Sequence, residues 1–484
     1  MTMPFYRLLL ICLLGPILSA ACATSEGLQP IANVRNSSDL SARDTLAGIQ
    51  ADANAWPGRD WWKAYADPQL DALIDQALAG SPTLAIARAR IEQADAFANV
   101  ADAGRQAQLG VGASIDRQRY TKEGIFPPPL AGATYTTGQL ALNFKHEFDF
   151  WGRQQAVLES ALSREQAAAV EAEAARLALA VAVARSYVEL DHQYALLDLA
   201  NAALKQRESF RDLTALRTSA GLDNEADLHQ SASAVFSART DVAAAMERIT
   251  LLGNELAALT GSGPDRGLAI ARPRLSLGPA ARLPTLLPSE LLGRRPDIVA
   301  QRLRVQAAGS DISAAQARFY PNVDLTALFG FQSINLDHLL MGHNRIIDTG
   351  AALSLPIFDG GRRRANLRIQ DADYDLAVEQ YNSTLVEAMR DVADQANSWR
   401  AIDAQCAEQV RAQAEAEAAY RIALLRYQGA LSSYLAVLSV ESQVLAQQRV
   451  AADLRARRLT ASIGLSRALG GGYQDIASTT RTSN

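Results

Sequence analysis

The sequence predicts an α+β membrane protein with an internal two-fold sequence repeat, and two observations support this fold class. The motif Phe-Asp-Phe-Trp-Gly-Arg at 148–153 recurs as Phe-Asp-Gly-Gly-Arg at 358–362, and each copy opens a proline-free stretch rich in helix-forming residues. Before each copy, apolar and polar residues alternate with the period of two that is typical of half-exposed β-strands. Each half of the chain is therefore expected to contain a β-hairpin followed by long helices.

In each half a helix precedes the hairpin, and a returning helix follows the long one. The predicted bounds in the first half are helix 68–102, strands 109–116 and 140–145, long helix 152–219 and returning helix 224–259. In the second half they are helix 288–317, strands 323–332 and 351–357, long helix 362–428 and returning helix 432–469. The long helices end at Gly221 and Gly429, since glycine can take the left-handed conformation that terminates a helix.

These elements divide the chain into two structural repeats, 61–262 and 288–472. The proline-rich segment 263–287 is expected to be an extended linker between them, and 473–484 a C-terminal tail.

The N-terminus has the layout of a bacterial export signal. Arg7 precedes the apolar run 8–18, and small residues at 19–21 lead to Cys22, which predicts a signal peptide over 1–21. A cysteine at this place resembles a lipobox, in which the thiol is acylated and becomes the first residue of the mature chain. Ordinary cleavage among the neighbouring alanines is the alternative. With acylation, residues 22–60 form a lipid-anchored extended segment.

The composition indicates a folded chain without a nucleic-acid partner. Hydrophobic residues make up 49% and charged residues 20% of the 484 residues, which excludes an intrinsically disordered protein. The 52 acidic residues outnumber the 47 basic ones, so there is no basic surplus for nucleic acid. After the N-terminus no apolar run reaches about 18 residues, which excludes a helical polytopic membrane protein.

Catalytic, cofactor and metal sites are not expected, so the sequence does not predict an enzyme. The five histidines lack the His-Glu-x-x-His spacing of a zinc site, and neither a Walker-type phosphate loop nor a Gly-x-Ser-x-Gly motif occurs. His338 and His343 share a loop between two strands, where chance proximity explains them better than a metal site. The energy for any transport must then come from a partner protein.

Four amphipathic strands in one chain cannot close a barrel in a membrane. Membrane barrels need about eight strands, and open strand edges are not tolerated in lipid. Three copies would supply twelve strands, and the helices would continue as a tube on one side of the membrane, because a hairpin enters and leaves by the same face. A helix of about 67 residues spans roughly 100 Å. A coiled-coil stalk is the alternative interpretation of the helices.

Several motifs resemble a known family of channels. They are Trp61-Trp62, Asp67-Pro68, Leu-Gly-Arg-Arg-Pro-Asp-Ile at 292–298, Phe-Tyr-Pro at 319–321, Leu-Pro-Ile-Phe-Asp-Gly-Gly-Arg at 355–362 and the ending at 462–472. They are similar to the outer-membrane factors, the TolC-like and OprM-like channels of tripartite efflux systems, and to their NodT-type lipoproteins. The resemblance implies a homotrimer with a twelve-stranded outer-membrane β-barrel that continues into a long periplasmic α-helical barrel.

The resemblance also places the periplasmic gate at the ends of the long helices. The tip residues that it selects in the second half are Tyr427, Gly429, Leu435, Ala436 and Ser439. In the first half Asp223 and Asp227 follow the tip glycine Gly221, and these acids either stabilise the helix start through its dipole or face the adaptor. Family members often carry aspartates where this chain has Ala436 and Ser439, and their glycine falls on Ala430. Leu435 either narrows the pore or packs between helices, and Tyr427 either braces the closed state by hydrogen bonding or packs.

The expected function is that of an outer-membrane exit duct, through which a tripartite pump exports drugs or other small molecules. The implied partners are a periplasmic adaptor (membrane fusion) protein, an inner-membrane pump of the RND type and outer-membrane lipid. The expected location is the outer membrane, with a lipid anchor and a periplasmic extension. Two alternatives remain open from the sequence: the outer-membrane channel of a type I protein secretion system, and a non-conducting envelope-spanning stalk.

Overall fold

Two β-hairpins alternate with helices in a computed structural model that describes residues 24–36, 40–42, 44–47, 52, 55–276, 284, 287–429 and 431–475. In chain order the elements are a 3₁₀ turn (Trp61–Tyr65), α1 (Pro68–Gly80), α2 (Pro82–Ala103), β1 (Gln108–Arg119), β2 (Thr134–Phe148), α3 (Arg153–Ser219), α4 (Glu225–Leu259), α5 (Asp265–Leu268), α6 (Leu287–Arg294), α7 (Pro296–Ala317), β3 (Asn322–Ile334), β4 (Arg345–Ser354), α8 (Arg362–Gln428) and α9 (Tyr434–Ala468). Helices α3 and α8 have 67 residues each, and α4 and α9 have 35 each. The predicted long and returning helices are confirmed.

The first of two compact units contains the β-sheet. It comprises residues up to Val34, Ile91–Ala168 and Gln301–Tyr381. The four strands are antiparallel in the order β1-β2-β3-β4, so the two hairpins join through β2 and β3. Within the part of the chain that the structure describes, β1 and β4 each pair on one side, and their other edges are open.

The register of the sheet separates apolar from polar residues. One face carries Leu109, Val111, Ala113 and Ile115 of β1, Leu140, Leu142 and Phe144 of β2, Val323, Leu325, Ala327, Phe329 and Phe331 of β3, and Ile347, Ala351 and Leu353 of β4. The opposite face carries mainly small, polar and charged residues, among them Gly110, Gly112, Ser114, Asp116, Asn143, Lys145, Glu147, Asp324, Thr326, Gln332 and Asp348. We call these the apolar face and the polar face of the sheet.

The repeated motif at the start of each long helix has a local structural cause. Gly152 has a φ of +72°, and Gly360 and Gly361 have φ of +66° and +87°, so the chain turns there in a conformation that favours glycine. The Asp149 carboxylate accepts a hydrogen bond from the Gln155 backbone N–H at 2.8 Å. In the second copy the Asp359 carboxylate accepts a hydrogen bond from Arg363 Nε at 2.9 Å. Both motifs satisfy backbone or side-chain donors at a helix start.

The second compact unit, Arg35–Arg90, Ala169–Ala300 and Asn382–Asn484, contains the largest hydrophobic core. Trp62 and Tyr65 of the 3₁₀ turn and Leu73 of α1 are buried there. The buried Asp67 carboxylate accepts hydrogen bonds from the Tyr187 hydroxyl at 2.9 Å and from the Arg274 backbone N–H at 2.7 Å. The entry segment is therefore fastened to α3 of the same unit.

The Leu-Gly-Arg-Arg-Pro-Asp-Ile motif has a structural role in the same unit. The buried Arg295 guanidinium donates to both oxygens of Asp297, at 3.0 and 2.6 Å, and to the Ala468 carbonyl at 3.3 Å. Gly470, just after α9, has a φ of +87°, and a Cβ there would lie 1.9 Å from the Arg294 carbonyl oxygen. The motif and the glycine-rich ending of the chain therefore fit against each other.

Several predicted bounds were wrong, and prolines explain most of the differences. The predicted helix 68–102 is two helices, because Pro82 lacks an N–H and leaves Ser81 extended (ψ 127°). The predicted helix 288–317 is likewise interrupted before Pro296. Strand β4 ends at Ser354, two residues before Pro356, whereas the prediction carried it to residue 357. The segment 263–287, predicted to be extended, contains the short helix α5.

Among the described residues, no helix is both long enough and apolar enough to cross a membrane.

Candidate functional site

At the first tip, where α3 ends and α4 begins, hydrogen bonds terminate α3 and cap the start of α4. Gly221 has a φ of +72°, and its N–H donates to the Thr218 carbonyl at 3.0 Å. The Leu222 N–H donates to the Arg217 carbonyl at 2.9 Å, which completes a Schellman termination. At the start of α4 the Asn224 side chain accepts from the Asp227 backbone N–H at 2.9 Å.

The second tip, between α8 and α9, is built differently, and the prediction for Gly429 was wrong. Gly429 does not adopt a positive φ, and its N–H makes an ordinary helical hydrogen bond to the Leu425 carbonyl at 3.0 Å. The terminating bond runs from the Leu431 N–H to the Arg426 carbonyl at 2.8 Å, with the same spacing as in the first tip. By this spacing the residue that matches Gly221 is Ala430, and Gly429 comes one residue before it. Ala430 lies outside the described residues.

The start of α9 also lacks the cap of the first tip. Ser433 occupies the N-cap position in an extended conformation, but its side chain makes no capping hydrogen bond within the described chain. A backbone hydrogen bond runs from the Ala436 N–H to the Ser433 carbonyl at 3.2 Å. The second tip therefore depends less on local hydrogen bonds than the first does.

Tyr427 connects the two tips. Its side chain is 2% exposed and packs with Phe210 of α3 and Val437 of α9, and the two aromatic rings lie 6.3 Å apart between centroids. The Arg217 guanidinium lies over the Tyr427 ring at 5.1 Å. Burial raises the pKa of the Tyr427 phenol above its ordinary value, so this residue stays neutral across the physiological range. Tyr427 therefore packs between the two tips of its own protomer.

Arg217 holds the first tip to this aromatic site. Its Nε and Nη2 atoms donate to the two Asp223 oxygens at 2.8 and 3.0 Å, a bidentate geometry. The same guanidinium covers the Tyr427 ring. Asp223 is thus engaged in an ion pair inside the protomer.

Three of the selected residues share an exposed face of α9. Leu435 is 62% exposed, and Ala436 and Ser439 are exposed as well. Spacings of one and four residues put these side chains on one side of a helix. Leu435 therefore does not pack between helices of its own protomer, and its side chain is exposed at the second tip.

Glu441 is a further residue of interest at the second tip. It is 3% exposed, and within the described residues neither carboxylate oxygen has a hydrogen-bond partner. Burial raises the pKa of the Glu441 carboxyl, and the Arg207 charge opposes that shift. The sequence places Glu441 four residues after the buried Val437, and this spacing could have indicated that it faces the core.

The other predicted features lie elsewhere. Cys22 lies outside the described residues. Among those described, no group of three or more His, Cys, Asp and Glu side chains could hold a metal ion.

The helices and hairpins agree with a known family. The profile of the family described as "Outer membrane efflux protein" matches residues 73–262 and 287–471, which is more than half of the chain. The chain belongs to the outer membrane efflux protein family. The resemblance noted in the sequence is thereby confirmed.

Similar proteins include other outer membrane efflux proteins. Multidrug resistance outer membrane protein MdtP of Escherichia coli (strain K12) is 34% identical over 448 residues, covering 88% of this chain and 89% of MdtP. Fusaric acid resistance protein FusA of Burkholderia cepacia is 38% identical over 359 residues, covering 74% of this chain and 68% of FusA.

Solved structures agree at the level of the fold. The outer membrane protein VceC from Vibrio cholerae superposes with a TM-score of 0.82 at 38% identity, covering 87% of this chain and 100% of VceC. The Campylobacter jejuni CmeC outer membrane channel, at 21% identity, shares the fold with a TM-score of 0.85 over 94% of this chain and 97% of CmeC.

Family membership decides the class of the protein and its location. The chain is an outer-membrane efflux protein, an exit duct for an efflux pump and not an enzyme. Membership of a family of efflux proteins does not agree with the stalk interpretation.

Proposed function

We propose that three copies of this chain close into one duct, the outer-membrane exit of a tripartite pump that exports drugs or other small molecules. The observation that carries the proposal is the sheet, whose four strands have one apolar face, one polar face and two open edges. An edge strand in hydrocarbon leaves backbone groups unsatisfied, at several kcal/mol for each group. Pairing β4 of one protomer with β1 of the next removes all edges when the ring closes at twelve strands.

The two faces of the sheet fix its orientation in this ring. In membrane barrels the apolar face contacts lipid and the polar face lines the lumen. The polar face of this sheet carries glycine and alanine beside its charged residues, for example Gly112 paired with Ala141 and Ala141 paired with Gly330. Small side chains leave the bore open. Aromatic residues Phe148, Trp151 and Tyr320 lie near the helical end of the strands, as expected of an interfacial girdle.

The duplicated element order supports the proposed repeats 61–262 and 288–472, with the linker 263–287 between them and the tail 473–484 after them. Each repeat has a hairpin, a 67-residue helix and a 35-residue helix in the same order. The family profile matches two separate segments with nearly these bounds, 73–262 and 287–471. Three chains with two hairpins each give a ring of six similar units.

We propose further that Cys22 carries a lipid, with 1–21 as its signal peptide and 22–60 as the anchored segment. The Ile31 and Ala32 backbone N–H groups donate to the Asp375 carboxylate at 2.9 and 2.8 Å. Arg364, at the start of α8, donates to the carbonyl oxygens of Thr24 and Glu26. Helix α8 begins shortly after β4, so Thr24 lies close to the helical end of the sheet, where the membrane surface is expected.

A lipid on Cys22, two residues before Thr24 in the sequence, is proposed to anchor the chain at that surface. Mass spectrometry of the mature N-terminus tests this, and an unmodified N-terminus at Ala21 or Cys22 would contradict it. Cys22→Ala is expected to leave the trimer intact, because the strands themselves anchor the protein.

The periplasmic end of the duct is proposed to close at the second tip through Leu435, with Ala436 and Ser439 beside it. Three exposed leucines gathered on the axis would form an apolar constriction of the dewetting type. Tyr427 and Gly429 lie behind this constriction, and Gly221, Asp223 and Asp227 form the neighbouring first tip. Both tips are proposed to bind a periplasmic adaptor (membrane fusion) protein coupled to an inner-membrane pump of the RND type.

The proposed cargo class rests on the relatives, since MdtP is named for multidrug resistance and FusA for fusaric acid resistance. The test of the duct is a mass measurement of the purified protein in mild detergent, followed by conductance in a planar bilayer. We expect a trimer that conducts. A folded monomer as the only species would contradict the proposal.

A further inference from the structure

Three arginines lie on the apolar face of the sheet, at the end where the strands meet their loops. Arg117 and Arg119 are close to the end of β1 and pair with Thr136 and Thr134 of β2. Arg345 begins β4 and pairs with Phe331 of β3. The strand alternation puts all three on the same face as Val111, Leu140 and Ile347, and all three are exposed.

This face has positive charge without acidic neighbours in the strands. Asp116, Glu147, Asp324 and Asp348 all belong to the polar face. Arg345 donates from Nε to the Gly342 carbonyl at 2.8 Å. In the part of the chain that the structure describes, none of the three arginines has an ion-pair partner.

The arginines also lie on the two open edge strands. In the proposed ring β4 of one protomer pairs with β1 of its neighbour. Arg345 of one protomer therefore lies near Arg117 and Arg119 of the neighbouring protomer. Each of the three seams between protomers then has a basic cluster on its lipid-facing side, next to the loops and away from the helices. This step rests on the proposed trimer.

The arginine cluster at each seam is suited to bind a phosphate group. A planar guanidinium binds phosphate through paired hydrogen bonds, and arginine is the residue best suited to that geometry. Arginine on the lipid face is costly at the bilayer midplane and nearly free at its boundary, so its depth points to the headgroup region. The negatively charged groups in the headgroup region are lipid phosphates. Val111 and Ile347 on the adjacent apolar face can contact the acyl chains.

We propose that each seam is a binding site for a phosphorylated lipid of the outer leaflet, held by Arg117 and Arg119 of one protomer and Arg345 of its neighbour. The phosphate contacts the guanidinium groups, and the acyl chains lie along the apolar face. The lipid would bridge two protomers at the place where their sheets join.

The test is native mass spectrometry of the purified trimer with added lipid A, which carries two phosphates, and with lipid A from which the phosphates have been removed. The variant Arg117→Gln/Arg119→Gln/Arg345→Gln removes the cluster. The triple lysine variant keeps the charge, and Lys145→Gln removes one positive charge from the polar face of the same sheet. Inorganic phosphate is added as a competitor.

We expect the wild type to bind up to three phosphorylated lipids per trimer, at least tenfold more tightly than the dephosphorylated lipid. The glutamine variant should lose on the order of 100-fold in affinity for the phosphorylated lipid only, since each arginine near a charged surface contributes about a factor of five. The lysine variant should bind with an affinity between those of the wild type and the glutamine variant, since it keeps the charge but not the paired hydrogen bonds, and Lys145→Gln should keep all of the binding.

Wild-type affinity in the glutamine variant would overturn the proposal, as would equal binding of both lipids. Displacement of the lipid by millimolar inorganic phosphate would also overturn it, because the site would then bind free anions. Trimer mass and conductance of each variant are measured in parallel. A monomeric wild type would contradict the duct and the seam together, whereas a conducting trimer with arginine-independent lipid binding would contradict the seam alone.

Discussion

The two tips of this protein occupy equivalent places in the two halves of the chain but are held together in different ways. The first has a left-handed glycine at Gly221, a side-chain cap from Asn224 and a bidentate ion pair between Arg217 and Asp223. The second has a Gly429 without a positive φ and an N-cap serine, Ser433, without a capping bond in the described chain.

This difference indicates that one tip is more rigid than the other. Local hydrogen bonds fix the first tip, which can therefore act as a rigid support. The second tip is held mainly by tertiary packing of Tyr427 and Val437 against Phe210, and contacts of that kind can be broken by moving one helix. We therefore expect the second tip to be the mobile element of the gate.

The largest effect is expected from removal of the side chain that joins the tips. Tyr427→Ala deletes a buried aromatic residue, which costs about 3–5 kcal/mol in protein cores. Hydrogen exchange should show faster local opening of the second tip, with a smaller change in the first. Tyr427→Phe keeps the buried ring and is the control, so it should have a much smaller effect than Tyr427→Ala. Equal opening of both tips would contradict the proposed difference.

Glu441 should make the second tip sensitive to pH. The buried carboxyl has a raised pKa, so the packed conformation binds its proton more tightly than an open, hydrated one. Packing is therefore favoured below the ordinary pKa of glutamate and weakens as pH rises through the raised value.

Glu441→Gln should remove this dependence, and it should also slow opening at pH 8, since the neutral amide does not carry the cost of burying a negative charge. The measurement is hydrogen exchange at pH 5–8, corrected for the intrinsic exchange rate. The exposed Glu225 of the first tip supplies the control variant Glu225→Gln, for which no change is expected. If the pH dependence persists in Glu441→Gln, another titrating group causes it.

Matched glycine substitutions test the backbone difference. Gly221→Ala forces alanine into a positive φ and should destabilise the first tip by about 1–2 kcal/mol. Gly429→Ala should be neutral or should stabilise the end of α8 by up to about 1 kcal/mol, because the residue directly follows α8 and has no positive φ. A Cβ at Gly429 would lie 3.4 Å from the nearest atom, the Leu425 carbonyl oxygen, so space is available. Thermal unfolding of the two variants measures the effects, and equal losses would show that the tips are alike.

The smallest effect is expected from the helix caps. Asn224→Ala removes the bond to the Asp227 N–H and should cost about 1 kcal/mol, whereas Ser433→Ala should cost almost nothing. The same unfolding assay compares the pair. A loss for Ser433→Ala as large as that for Asn224→Ala would mean that the serine caps α9 in the assembled protein.

The sequence predicted the regular elements of this fold well, because their signals are local. Proline-free stretches of helix formers marked α3 and α8, and strict alternation marked the four strands. The interruptions at Ser81 and before Pro296 were missed, since the apolar pattern continues on both sides of the proline.

The candidate site was less predictable. The tip segments could be located from motif resemblance, but the conformation of Gly429 depends on where the terminating hydrogen bond forms, and that differs by one residue between the halves. The stacking of Arg217 on Tyr427 and the burial of Glu441 arise from packing between helices that are far apart in sequence, for which one sequence carries no direct signal.

The central claim, a duct closed by the second tip, is tested most directly by single-channel recording of the purified trimer. The variants are Leu435→Ser, Ser439→Asp and the matched control Leu222→Ser, which changes a leucine of the first tip with 69% exposure against 62% for Leu435. We predict higher conductance for Leu435→Ser, wild-type conductance for Leu222→Ser, and block by a polyvalent cation on the periplasmic side that is weak in the wild type and strong in Ser439→Asp. Strong block of the wild type, or equal conductance of the two leucine variants, would contradict the claim.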